Sequence, residues 1–306
     1  MLIYLPAGYD DSPELSYPLI TCLAGFTGTG RQLLHDRPWR PSLARMLEKL
    51  CDQGIAGPMI LAFPDGFTRL GGSQYKNSAA VGRYEDHIIG EFLPAVLSQY
   101  RVLNGSGHCG IMGMSSGGYG SLCLAMRHPG CFGALASHSG DLYFPYCYIP
   151  NFPKSISVIQ RHGGVLGFLK AFDDLPRKTG EYIAGIDMIA MSACYSPREN
   201  GAFDLPFDLE TGRIRPEVWQ RWLVEDPINM IEEKAYQDAL RGMRLVYFDC
   251  GAKDEYFLHY GARMLSERLK ALGIEHYHEE FNDTHSGMSY RPNCSLPMLW
   301  NALKGD

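Results

Sequence analysis

Gly113-Met114-Ser115-Ser116-Gly117 places a serine between two glycines, each two residues away. A serine lifted onto a sharp turn takes up strained dihedrals, and side chains two positions to either side would collide, so glycine serves at both. Residues 111–114 are apolar and read as a short buried strand, while residues 122–126 read as a helix. Such a strand–turn–helix presents the hydroxyl at the helix N-terminus, where free N–H groups and the helix dipole favour developing negative charge. Ser116 competes for this place, but it has Met114 rather than glycine two residues before it. Ser115 is therefore the candidate nucleophile.

A serine hydroxyl is a weak nucleophile until a neighbouring base takes its proton, and a third group must orient that base. Asp254, in Cys250-Gly251-Ala252-Lys253-Asp254, and His285, in Asn282-Asp283-Thr284-His285-Ser286-Gly287, both sit in glycine-containing loops directly after expected strands. Serine, then acid, then histidine is a known chain order for acyl-transfer chemistry. Among the other acids, Asp249 is still on its strand, Asp283 lies too close to His285 to reach round its ring, and Asp141 remains a minor alternative. His138 follows a strand and is a candidate for the pocket wall, but it precedes every late acid. His108 and His128 flank elements and read as structural. His276 and His278 alternate along a strand beside Glu279 with no third ligand at suitable spacing, so a metal site is not expected there.

These residues need elements to hold them. Apolar runs at residues 1–5, 18–24, 59–63, 111–114, 132–137, 244–249 and 276–281 read as strands. Helical periodicity covers residues 38–54, 84–102, 258–272 and 296–303. Alternating strands and helices predict an α/β fold, a mostly parallel sheet with helices on both faces and its site at the carboxyl ends of the strands. Gly105-Ser106-Gly107-His108-Cys109-Gly110 matches a dinucleotide fingerprint, but it follows a helix and opens a strand, the reverse of the required context.

Between residues 142 and 241 the alternation stops. This stretch is too long for an ordinary connection. It opens with Tyr143, Phe144, Tyr146, Tyr148 and Phe152 and carries helical segments at 165–172, 182–195 and 216–224. It reads as a cap-like insertion over the site within one domain, whose core is residues 1–141 and 242–306. Tyr143 and Tyr146 are the expected aromatic wall. Because its aromatics are mixed with Asp173, Asp174, Glu181 and Asp187, a water-soluble, short-acyl substrate is expected rather than a long-chain lipid.

The chain has 306 residues and a net charge of -6, with no Lys/Arg-rich run, which gives no reason to expect nucleic acid. No apolar stretch approaches a membrane span, so no membrane partner is expected. The first residues lack the basic region and apolar length of a signal peptide, and the nine cysteines contain no C-x-x-C pair. A cytoplasmic location with reduced cysteines is the expectation.

Leu5-Pro6-Ala7-Gly8-Tyr9-Asp10, Ala24-Gly25-Phe26-Thr27-Gly28, Gly113-Met114-Ser115-Ser116-Gly117-Gly118, Gly251-Ala252-Lys253-Asp254 and Thr284-His285-Ser286, in that order, resemble the esterase D group of α/β-hydrolases. That family includes S-formylglutathione hydrolases, feruloyl and acetyl-xylan esterases and mycolyl transferases. The resemblance covers most of the chain outside residues 142–241. It implies an ester hydrolase of the α/β-hydrolase fold that needs no cofactor or metal. Ser115, Asp254 and His285 would be the triad, and the backbone N–H groups of Phe26 and Ser116 the oxyanion hole. Two features depart from the family pattern. Ala24-Gly25 stands where His-Gly is usual, so support for the oxyanion loop differs, and the chain starts inside what would be an early strand. Acyl transfer of the mycolyl type and thioester hydrolysis are the alternatives within enzymes. From another class, the alternative is a catalytically silent binding protein on the same scaffold, against which the intact residue set argues.

Overall fold

The computed structural model describes residues 1–305. Seven strands form one sheet: β1 (Leu2–Tyr4), β2 (Leu19–Leu23), β3 (Ile60–Phe63), β4 (Cys109–Met114), β5 (Ala134–His138), β6 (Leu245–Gly251) and β7 (Tyr277–Phe281). Their spatial order is β1-β3-β2-β4-β5-β6-β7. β1 pairs antiparallel with β3, and every other neighbouring pair is parallel. The register sets Met114 beside His138 and His138 beside Asp249, and it sets Gly251 beside Phe281. The loops that follow β4, β6 and β7 therefore leave the same edge of the sheet. β2, β3, β5 and β6 are buried along their whole length, as expected of strands covered on both faces. β7, at the sheet's margin, is buried only at Phe281.

Helices α1 (Leu43–Asp52), α2 (Leu93–Gln99) and α3 (Ser116–Arg127) precede β5. α1 buries Leu43, Met46, Leu47 and Leu50, the stripe expected of a 3.6-residue period, and Ser42 caps it by accepting from the Arg45 N–H at 3.4 Å. It starts later than the periodicity suggested, because Arg37 to Arg40 form a bridge with Trp39 at φ 58°. α2 continues a helical run from Tyr84 that includes a π-helical segment, His87–Phe92.

Between β5 and β6 lie α4 (Phe152–Arg161), α5 (Val165–Asp174), α6 (Gly180–Tyr195), α7 (Pro216–Leu223) and α8 (Lys234–Arg241). The apolar pattern of residues 152–161 did not single out α4, whose start is masked by Pro150 and Pro153. α4, α5 and α6 enclose a small core of Val158, Ile159, Phe168, Ile186 and Ile189. Phe144, Tyr148, Phe152, Tyr195, Trp219 and Trp222 join the main core through edge-to-face and tilted ring contacts. Asp226 pins the start of this segment, accepting from the N–H groups of Tyr143 at 3.1 Å and Phe144 at 2.7 Å. After β6 come α9 (Leu258–Ala271) and, after β7, α10 (Pro292–Leu303). α1 and α10 pack on one face of the sheet, and α2, α3 and α9 on the other.

Candidate active site

Ser115 stands between β4 and α3 with φ 56° and ψ −127°, and its N–H donates to the His138 carbonyl at 2.8 Å. That dihedral is strained for any residue but glycine. The flanking glycines are demanded by space. A Cβ on Gly113 would lie 2.2 Å from the Gly117 oxygen, and one on Gly117 2.3 Å from the Leu23 oxygen. Ser116 is the first residue of α3 and is buried.

His285, beyond β7, meets Ser115 Oγ through Nε2 at 2.9 Å. Its Nδ1 meets Asp254 Oδ2 at 2.8 Å, and its backbone N–H donates to Glu255 Oε2 at 2.6 Å. Asp254, after β6, is buried and accepts the Tyr256 N–H at 2.9 Å through its other oxygen. Tyr256 also stands edge-on to the His285 ring, at 4.9 Å between centroids. Burial alone would lower the His285 pKa. The hydrogen bond and charge of Asp254, with the charges of Asp141 and Glu255, outweigh it and hold the imidazole above its ordinary value.

The loop after β2 brings Phe26 to the same place. A Cβ on Gly25 would lie 3.1 Å from Met114 O and 3.3 Å from Ser115 Cβ, a tight fit, so glycine eases the close approach of this backbone to the turn. Neither the Phe26 nor the Ser116 N–H donates to an acceptor among the described residues. The loop is braced by a residue the sequence did not single out. Tyr75, buried and with φ 53°, donates its hydroxyl to the Ala24 carbonyl at 2.6 Å, and Thr27 N–H donates to Gly71 O at 2.9 Å. Ala24 itself brings no polar side chain, so this tyrosine is what holds the stretch in place.

Phe26, Ser115, Ser116 and His285 line one cavity of about 340 Å³, with Asp254 buried behind His285. Its remaining wall comes from Asp141, Cys147, Tyr148, Asn151, Lys154, Ile183, Ala184 and Asp187. Tyr143 and Tyr146 are not on that wall. They meet edge to face at 4.8 Å between ring centroids, and Tyr146 meets Tyr260 edge to face at 5.7 Å, outside the cavity. After the left-handed Tyr143 (φ 54°), a helical turn over residues 144–147 leaves Cys147 and Tyr148 on the cavity side instead. Asp141 is also buried, but it accepts from Gln74 Nε2 at 2.9 Å and the Tyr148 hydroxyl at 3.0 Å, and it does not touch His285. Its pKa is pushed up by burial, against the pull of those two hydrogen bonds. The sequence sets Tyr148 and Asp187 in the insertion over the site, but nothing local marks either as a cavity residue ahead of its neighbours.

The other candidates are elsewhere. His138 is fully buried, held between Asp249 and Ser295, and is no part of the pocket wall. His108 meets the Leu303 carbonyl at 2.6 Å and His128 meets Glu85 at 2.7 Å, both structural contacts. Residues 105–110 run through a short 3₁₀ turn into β4, with no helix following. His276 and His278 stack on Phe248, and no metal-binding cluster occurs among the described residues. No helix is long and apolar enough to cross a membrane.

The arrangement can pass a proton from a hydroxyl to an imidazole beside two free N–H donors, the requirements of acyl transfer. Comparison with known proteins agrees in class. A ferulic acid esterase superimposes with a TM-score of 0.60 at 17% identity, covering 98% of this chain and 91% of that one. The fluorophosphonate-binding serine hydrolase F of Staphylococcus aureus gives 0.58 at 14%, covering 99% and 91%. An S-formylglutathione hydrolase from Agrobacterium tumefaciens gives 0.57 at 14%, covering 99% and 89%. At these identities the likeness shows the fold, which is that of the α/β-hydrolases. Comparison with curated proteins finds no match. The family described as "Putative esterase" matches residues 1–294. The chain belongs to this esterase family and is a serine hydrolase of carboxylic esters.

Proposed function

We propose that the protein is a carboxylesterase in which Ser115, His285 and Asp254 form the triad and the N–H groups of Phe26 and Ser116 the oxyanion hole. Ser115 Oγ attacks the ester carbonyl while His285 Nε2 takes its proton and then delivers it to the departing alcohol. Asp254 holds the imidazole by its Nδ1–H and stabilises the imidazolium. The two N–H groups donate to the carbonyl oxygen as it becomes an oxyanion, an effect typically worth about 2.7–4 kcal/mol per donor. Water, deprotonated by the same histidine, then cleaves the acyl-enzyme. The observation that carries this reading is the unbroken contact from Ser115 Oγ through His285 to Asp254, at 2.9 and 2.8 Å, on the border of a cavity.

The substrate is a short-acyl, water-soluble ester. The cavity wall mixes Ile183, Ala184 and Tyr148 with Asp141, Asn151, Lys154 and Asp187, and offers no continuous apolar trough for a long chain. Hydrolysis of acetate, butyrate, octanoate and palmitate esters of one alcohol tests this. kcat/KM is expected to be greatest for acetate or butyrate, and greatest activity on palmitate would overturn the substrate class.

A further inference from the structure

Asp187 lies in the middle of α6, between Ile186 and Met188, where helix residues on both sides are buried. Its carboxyl group faces the cavity beside Ser115 and His285 and makes no hydrogen bond or ion pair with any described residue. Every other carboxylate around the cavity has partners. Asp254 has His285 and the Tyr256 N–H, Asp141 has Gln74 and Tyr148, and Glu255 has the His285 N–H. A half-buried carboxyl group on a cavity wall that no protein group engages is free to take its partner from a bound ligand.

The sign of that ligand follows from the surroundings. Asp141 and Asp187 line the cavity and Asp254 and Glu255 stand against His285, whereas Lys154 is the single lysine or arginine of the lining, and it is exposed. Lys154 forms no ion pair with Asp187. Burial and the nearby charge of Asp141 push the Asp187 pKa up to about 8, so the carboxyl group is largely protonated in the free protein at neutral pH, and a cation arriving beside it would draw it into the charged form. An anionic substituent would meet repulsion from several carboxylates in a poorly solvated space.

We propose that Asp187 is a specificity residue that receives a cationic group, an alkylammonium or protonated amine, carried by the ester substrate. This rests on the assignment of Ser115 as nucleophile in this cavity. Asp187 takes no part in bond making; it binds the substrate's charge while the carbonyl sits at Ser115.

The test compares acetylcholine with its neutral isostere, 3,3-dimethylbutyl acetate, which has the same shape without the charge. The intact protein is expected to favour the cationic ester at least tenfold in kcat/KM, through KM. In Asp187→Asn that ratio falls toward one, with the change in KM for the cationic ester. Tetramethylammonium is expected to inhibit hydrolysis of the neutral ester competitively, and tert-butanol at equal concentration not to. This second arm needs no variant and so does not depend on how Asp187→Asn folds. Equal kcat/KM for the two esters in the intact protein, or an undiminished ratio in folded Asp187→Asn, overturns the proposal. Hydrolysis of the neutral ester that is abolished by Ser115→Ala keeps the triad reading standing in either case. Hydrolysis that survives Ser115→Ala defeats that reading instead.

Discussion

Ser115, His285 and Asp254 are joined by contacts of 2.9 and 2.8 Å, and Ser295, His138 and Asp249 are joined by the same two distances. The residue types match, and so does the use of the two imidazole nitrogens. What differs is where each line ends. Ser115 occupies a strained turn at the edge of a cavity, with two free N–H groups nearby. Ser295 lies inside α10, and both it and His138 have no exposed surface at all. Asp249 also accepts from Arg291 Nε at 2.7 Å and the Tyr247 hydroxyl at 2.8 Å. Burial raises its pKa, but the charge and hydrogen bond of His138, with those of Arg291, prevail and hold it below the usual carboxylate range. The second line is a satisfied polar network that ties α10 to the sheet. Proton-relay geometry is therefore insufficient for catalysis; a nucleophile also needs access and a place for the oxyanion.

The largest effect that separates the two lines lies in the serines. Ser115→Ala should lower kcat by about 10⁶-fold, the scale seen when a triad serine is removed. A fluorophosphonate should label the intact protein at Ser115 alone, and Ser295→Ala should label fully. Labelling that persists in Ser115→Ala would show that the buried line opens in solution, and the contrast would collapse.

The acids should separate next. Asp254→Asn is expected to cost about 10⁴-fold in kcat with little loss of stability, as when an orienting carboxylate is replaced. Asp249→Asn should do the opposite. It leaves Arg291 with only the half-exposed Glu279 as a charged partner, so denaturant unfolding should show a loss of about 3 kcal/mol, the low end for breaking a buried pair, with kcat changed less than tenfold. Comparable kcat losses in the two variants would mean that the acid has been assigned to the wrong strand end.

The smallest effect is in pH dependence, and its sign is fixed by His285. Catalysis needs the neutral imidazole, and the folded protein holds its pKa above the ordinary value, so kcat/KM should reach half its plateau above pH ~6.5 as pH rises. In Asp254→Asn the hydrogen bond to a charged acceptor and its Coulomb attraction are gone while burial remains. The acid limb of the residual activity should then move to lower pH. A limb that stays put would indicate that another carboxylate, with Asp141 first in line, sets the histidine's charge.

Ser115 was legible because the turn is a local steric problem with one local solution. Two glycines at fixed spacing are required wherever the backbone bends this way, as the 2.2 and 2.3 Å approaches at Gly113 and Gly117 make plain. The continuous apolar runs of the central strands were legible for a similar reason, since a parallel sheet buries both faces of each strand. Asp254 and His285 were legible through chain order and their places after β6 and β7. Helix limits were less so. α10 begins at Pro292, earlier than the periodicity from residue 296 suggested, and carries Pro297 inside it.

What the tertiary structure alone decided is which distant side chains share the cavity. Tyr148, Asn151 and Asp187 come from a segment whose own periodicity describes only how its helices bury themselves. The helical turn at residues 144–147 sets Tyr146 and Tyr148 on opposite sides, so that Tyr148 faces the site and Tyr146 does not. Tyr75 reaches the Ala24 carbonyl across 51 positions of chain, so no local pattern announces it. By itself the sequence determined the turn at Ser115, because strain between neighbours is encoded in neighbours. The cavity wall had to wait for the fold, because its contacts are long-range and any residue of suitable shape and polarity can make them.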